Sequence, residues 1–218
     1  MESAITFIFY IAIVLFSVVI HEVSHGLMAY ALGDPTAKHA GRLTLNPIPH
    51  IDLFGSIILP FILAIPAFFG ASTIIFGWAK PVPYNPYNLK NQKWGPALVG
   101  GAGPGANILV AVTFGLLIRV LPYFSGLSPE FIQTFAATLA VIVFLNLGLA
   151  IFNLVPIPPL DGSKVLFAIL PYRWMHIREL LERNGLILLL VFIFFFSRVL
   201  LPIILFLFYF LTGLKNIL

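Results

Sequence analysis

The sequence predicts an all-α polytopic membrane protein: a core of three long helices with short membrane-associated β-strands and one re-entrant segment. Three observations carry this expectation. Of the 218 residues, 60% are hydrophobic and 9% are charged, against roughly 25% charged in soluble domains. Several apolar runs reach the ~20 residues needed to cross ~30 Å of hydrocarbon. Most of the 12 Lys and Arg residues fall between those runs, where cations meet lipid headgroups.

The net charge of +4 comes from a scarcity of acids rather than from a basic patch, so the lipid bilayer, and not nucleic acid, is the expected surroundings. The absence of cysteine excludes disulfides and thiolate metal sites, leaving His, Asp and Glu as zinc ligands. At this length the spans are expected to pack as one unit, residues 1–218. Its core covers about 4–170, and a hydrophobic C-terminal segment covers about 185–211.

The first span runs from about Ala4 to Leu32. Met1-Glu2-Ser3 carries no positive charge and no small-residue cleavage site follows, so the run reads as a retained span rather than a signal peptide. It stops at the breaker cluster Gly33-Asp34-Pro35. Residues 40–47 alternate around Leu43 and Leu45, which predicts a short strand. A second strand is expected over 75–83, confined to an edge by Pro81 and Pro83. Between them, Leu53 to Phe69 is apolar but short and contains Pro60 and Pro66.

Two further spans follow, from about Gly95 to Leu121 and from about Phe131 to Val155. Small residues at Gly100, Gly101, Ala102, Gly103, Gly105 and Ala106 suit close helix approach in lipid. After Asp161-Gly162 come a short segment to Leu170, a charged stretch from Arg173 to Arg183, and a last apolar run, Leu186 to Leu211, interrupted by Arg198 and Pro202. Charge placement favours a re-entrant reading of Leu53 to Phe69. Only then do Lys38 and Arg42 share one face with Lys80, Lys90, Lys93, Lys164, Arg173, Arg178 and Arg183, a face expected to be cytoplasmic.

Chemistry concentrates in His21-Glu22-Val23-Ser24-His25. Positions four apart share a helix face, so His21 and His25 are placed to hold one zinc ion, with Glu22 beside them as a proton acceptor. The plain alternative is polar packing between helices, but three such groups within five residues of a span are costly without a shared purpose. A catalytic zinc needs a third protein ligand. Asp161 is the candidate, at the end of Asn153-Leu-Val-Pro156-Ile-Pro158-Pro-Leu160-Asp161-Gly162, and it reads equally well as a helix N-cap. Asp34, His39, His50 and Asp52 read as surface loop groups, and His176 as interfacial.

Together the two motifs resemble the site-2 protease family of intramembrane zinc metalloproteases, which pairs H-E-x-x-H with a later N-x-x-P-x-P-x-L-D-G. Gly103-Pro104-Gly105-Ala106-Asn107 is similar to that family's G-P-x-x-N segment. Residues 76–83 resemble the family's compact bacterial or archaeal members, without PDZ or CBS modules. The resemblance covers the first three quarters of the chain. It implies zinc ligation by His21, His25 and Asp161, with Glu22 as general base.

A side-chain amide is a further expectation, as donor to the developing oxyanion, with Asn153 and Asn107 the candidates; interhelical bonding is the alternative for both, and Asn146 reads as structural. The expected substrates are transmembrane proteins whose helices must locally unwind before attack, with an unwound segment held at the strand edges. A regulatory membrane partner or a homo-oligomer is expected to restrain such an enzyme. The competing class is a transporter passing metal ions or protons along the His and Asp cluster. The absence of an internal repeat and the carboxylate directly after His21 count against it.

Overall fold

The computed structural model describes residues 2–65, 77–124 and 126–214. Among them run eight α-helices: α1 (Glu2–Ala31), α2 (Thr36–His39), α3 (Leu59–Ala64), α4 (Gly95–Val120), α5 (Pro129–Asn153), α6 (Gly162–Ile169), α7 (Met175–Val191) and α8 (Leu200–Thr212). Four stretches are long and apolar enough to cross a membrane: Ile8–Ala31, Gly95–Tyr123, Pro129–Asn153 and Met175–Thr212.

Local chemistry sets the helix ends. Ser128 Oγ accepts the Phe131 N–H, with Pro129 at the first helical position and Glu130 in the first turn of α5, all features that favour a helix start. Helix α8 closes on Gly213 at φ +76°, a left-handed conformation that suits glycine. Arg119, in the last turn of α4, donates from Nε to the Leu211 carbonyl (2.8 Å) and from a terminal nitrogen to the Phe210 carbonyl (2.6 Å). The end of α8 is thereby tied to the end of α4.

Helix α4 is the centre of the bundle, with α1 and α5 packed against it and α8 closing over α4 and α5. Ala111, Ile118, Leu139, Ala140, Val143, Leu147, Ile204 and Phe208 form the main core. The expected three-helix core is therefore α1, α4 and α5. The charged stretch 173–183 is not separate from the last apolar run. It belongs to one 38-residue helical path, in which Arg178 pairs with Glu182 one turn on (2.9 Å), the spacing that supports a helix.

Neither expected β-strand is present among the described residues. Residues 40–47 form turns and bends, and 77–83 are irregular, while 75 and 76 lie outside the described residues. The reason is the donor supply. Pro81 and Pro83 lack N–H groups. The carbonyls of Lys80 and Pro81 accept from the Arg42 guanidinium (2.6 and 3.4 Å), and no partner strand lies alongside among the described residues. The apolar segment after Asp52 begins as a π-helical turn, Leu53–Ile58, and continues into α3, and 66–76 lie outside the described residues. Trp78 N–H donates to the Gly55 carbonyl (3.1 Å) and Lys80 N–H to the His50 carbonyl (2.9 Å), so the chain meets itself on either side of this segment.

Asp34 and His50 are not surface groups: their relative exposures are 0% and 1%. Asp34 accepts from Thr36 Oγ1 (2.6 Å), Asn85 N–H (2.6 Å) and Asn88 Nδ2 (2.9 Å), pinning the 84–89 loop to the end of α1. Burial works against its charge, but the hydrogen bonds from Thr36, Asn88 and Asn85 outweigh it and hold its pKa below the usual carboxylate range.

Candidate metal centre

Helical spacing puts Ser17, His21 and His25 on the buried face of α1. Opposite them α4 presents Gly103. A Cβ there would lie 2.5 Å from His25 Nε2 and 2.7 Å from His21 Nε2, so the space before the two nitrogens exists because residue 103 has no side chain. Beyond α5 the chain turns through a cis Pro158–Pro159 bond and brings Asp161 back. The turn needs Gly162, where a Cβ would run into the Leu154 carbonyl oxygen.

Asp161 Oδ2 lies 3.1 Å from His21 Nε2 and 3.0 Å from His25 Nε2. All three residues are buried, and the two rings meet edge to face with centroids 4.6 Å apart. Ligands about 2.0–2.1 Å from a tetrahedral zinc stand about 3.3–3.4 Å from one another. The spacing observed here is within a few tenths of an ångström of that.

The far sides of the rings fix the tautomers. His25 Nδ1–H donates to the Val99 carbonyl (2.6 Å), which can only accept. His21 Nδ1 faces Asn107 Oδ1 at 2.6 Å. The Asn107 orientation is set in turn, because its Nδ2 donates to the Ser17 carbonyl (3.2 Å) and to Asn146 Oδ1 (2.7 Å). Both neutral imidazoles therefore carry their proton on Nδ1 and aim a bare Nε2 lone pair at the same carboxylate oxygen. With both imidazoles neutral, the three converging acceptors suit a cation, and two imidazoles with a carboxylate are a donor set suited to zinc.

Asp161 stands at the N-terminus of α6 but makes no side-chain capping bond. Its second oxygen, Oδ1, accepts from Lys164 Nζ at 2.8 Å. Glu22 is half-buried beside the pair, with ligand atoms of His21, Glu22 and His25 within 4.8 Å of one another. Its Oε2 accepts the Val82 N–H at 2.9 Å. This contact gives the 77–83 segment a place the expected strand did not.

Both ends of the Asn107 amide are engaged within the bundle, where it supports His21. Asn153 donates to the Leu149 carbonyl of its own helix (2.9 Å) and makes no hydrogen bond to the cluster. Asp52 caps the turn that follows it, accepting from Gly55 N–H, and His50 Nε2 bonds the Thr44 carbonyl. Lys164, Ser17 and Asn146 escape a motif search. Their signals are helical spacing, three residues after Asp161 and four before His21, and a polar residue in the middle of a span.

Asn107→Leu is expected to weaken zinc binding by about 10–100-fold, the usual cost of losing the group that orients a ligating imidazole. Competition with a chromophoric chelator measures this. Unchanged affinity with lowered turnover would instead return Asn107 to the oxyanion role.

A family model described as Peptidase family M50 matches residues 129–197, extending into the last apolar run, where residue patterns alone gave no family signature. A Bacillus subtilis (strain 168) protein named "Putative zinc metalloprotease YwhC" is 37% identical over 156 residues, covering 71% of this chain and 66% of the relative. A Mycolicibacterium smegmatis protein named "Putative zinc metalloprotease Rip2" is 31% identical over 160 residues, covering 73% of this chain and 56% of the relative. The chain thus spans about half to two thirds of the length of these relatives. No solved structure matches the chain.

Proposed function

The chain belongs to peptidase family M50, the site-2 protease family, and from that premise we propose that it is a zinc-dependent endopeptidase cutting membrane proteins in or near their transmembrane segments. The observation that carries this reading is the convergence of His21 Nε2 and His25 Nε2 on one buried carboxylate oxygen, Asp161 Oδ2, at 3.1 and 3.0 Å. Zinc, when bound, supplies a Lewis acid that acidifies water and polarises the scissile carbonyl.

The chain's own residues do the rest. Glu22 takes the proton from the attacking water and returns it to the leaving amine. Its bond to Val82 N–H keeps the carboxylate beside the two imidazoles. Lys164 holds Asp161 Oδ1 so that Oδ2 faces them, and Asn107 and Val99 hold the imidazoles in one tautomer. Asn153 stays the candidate donor to the oxyanion. The substrate helix must unwind before its peptide bonds are exposed. The transporter alternative has no observation in its favour.

Residues 1–218 act in this reading as one membrane-embedded unit, with the metal centre toward the cytoplasmic side and the Leu53 to Phe69 segment re-entrant. Two things support this. The backbone bonds of Trp78 and Lys80 to Gly55 and His50 bring the chain back to where it left. Lys93, Lys164 and Arg178 line one cavity of about 580 Å³, and cations gathered at one end of a bundle favour a cytoplasmic face. Single cysteines at Lys38 and Lys93 are expected to react with an impermeant maleimide from the same face. Labelling from opposite faces would mean that Leu53 to Phe69 crosses.

The functional reading is tested by reconstituting the full chain in liposomes with a transmembrane peptide substrate. 1,10-Phenanthroline is expected to stop cleavage, and one equivalent of zinc per chain to restore it. Cleavage that continues in metal-free protein would defeat the proposal.

A further inference from the structure

The last membrane helix carries an arginine with nothing to bind. In the most apolar window of Met175–Thr212, 11% of residues are buried, against 28–33% in the other three spans. Its open surface includes Leu186, Phe194, Phe195, Val199 and Phe206, each more than 60% exposed. Arg198 is exposed within that surface, and among the described residues it makes no hydrogen bond, ion pair or ring contact. It follows a π-helical turn, Phe192–Phe196, within a 3₁₀ turn, Ser197–Val199, the kind of local departure from α-helix that recurs at functional positions.

Depth makes the arginine informative. Asn184 ends the polar part of α7, and Thr212 ends α8 beside Arg119, at the opposite end of α4 from Lys93. Arg198 is fourteen residues from each, about 21 Å along a helix. Its backbone therefore lies near the middle of the ~30 Å hydrocarbon layer, about 15 Å from either edge and beyond what snorkelling spans. Ionisable groups at such depth pair with one another or with backbone carbonyls.

Among the described residues the chain offers Arg198 no counter-charge within its span. Glu130, Glu179 and Glu182 lie near the ends of their spans. Glu22 is the acid in the body of one, and it holds Val82 N–H. Asp34, Asp52 and Asp161 lie outside the four spans, so a second copy of the described residues brings no free carboxylate to this depth, and a different molecule is the natural source of the missing charge.

We propose that the Arg198 face of the last membrane helix is a docking surface for a partner transmembrane helix that carries a carboxylate near its middle, the two charges pairing within the hydrocarbon. The metal centre plays no part in this interaction, so the proposal stands or falls apart from the proposed function.

The test uses the full chain in phosphatidylcholine liposomes at pH 8 with synthetic Leu/Ala-rich transmembrane peptides, fluorescently labelled, carrying Glu, Gln or Leu at the central position. Energy transfer from labelled protein reads association. The Glu peptide is expected to associate about tenfold more tightly than the Gln and Leu peptides, and Arg198→Leu to remove that advantage without lowering the Tm of the protein. Arg198→Glu is expected to transfer the preference to a peptide with a central Lys, which a merely misfolded variant cannot do. Equal association of all three peptides with the unaltered protein would overturn the proposal. So would a Glu preference that survives Arg198→Leu. Enrichment of phosphatidylglycerol around Arg198 in mixed liposomes, with no peptide preference, would assign the residue to a lipid phosphate and equally overturn it.

Discussion

Glu22→Gln is expected to lower peptidase turnover by about 10²–10⁴-fold, the usual worth of a positioned general base, while leaving zinc at one per chain. The substitution keeps the shape of the side chain and keeps an oxygen able to accept the Val82 N–H, so the 77–83 segment should stay in place. What is lost is the capacity to take a proton. Because the converging atoms belong to His21, His25 and Asp161, metal content should not follow activity downward. Zinc by atomic emission and cleavage of a transmembrane peptide, measured on the same preparation, separate the two. Full turnover in this variant would remove Glu22 from the mechanism, and loss of zinc would make it a ligand.

Asp161→Ala is expected to leave less than one zinc per chain and no measurable cleavage. The carboxylate is the one acidic arm of the candidate centre, and it is also the counter-charge of Lys164. Removing it strands a cation beside two imidazoles with nothing to oppose it. Were Asp161 a helix cap, the same change would cost about 0.5–2 kcal/mol of stability and nothing else, but α6 receives no capping bond from it. Asp34→Ala is the matching control: it removes an acid that is just as buried and should loosen the 84–89 loop without touching metal content. Stoichiometric zinc in Asp161→Ala would return the residue to the capping role.

How much of this was legible in the chain follows from the range of each interaction. The spans were readable because each apolar run declares itself locally, and their ends moved by only a few residues when Ser128 or Gly213 set the boundary. His21 and His25 were readable for the same reason, since helical geometry alone brings them together. Asp161 was half readable: its loop announced a special conformation, but whether its oxygen met the imidazoles or its own helix depended on a contact across 140 positions. The two strands failed because alternation is only a licence for a strand, and the ladder partner has to exist. Asn107 kept two readings, oxyanion donor and interhelical bond, because a side-chain amide declares its donors and acceptors but not which neighbours will claim them. Asp34 was taken for a surface group because nothing local foretells that Asn85 and Asn88 come back to meet it.

The Ser17, Asn107 and Asn146 contacts have a consequence for the order in which the protein is made. Hydrocarbon exerts no hydrophobic pressure on helices already within it, so what selects one register among many is polar contact of this kind. Here the selection is threefold, because Asn107 of α4 answers to the Ser17 carbonyl of α1 and to Asn146 of α5, whose own amide reaches Ser17 Oγ. The proton on His21 is thus placed by Asn107, 86 residues on, whose own contacts are completed by a helix synthesised later still. A nascent chain with only its first two long spans inserted already carries the whole His-Glu-x-x-His signature yet lacks both the Asn146 contacts that brace Asn107 and Ser17 and the acid that completes the cluster. Hydrolytic competence is in this sense a property of the finished bundle, withheld from a half-threaded polypeptide in a membrane crowded with other helices.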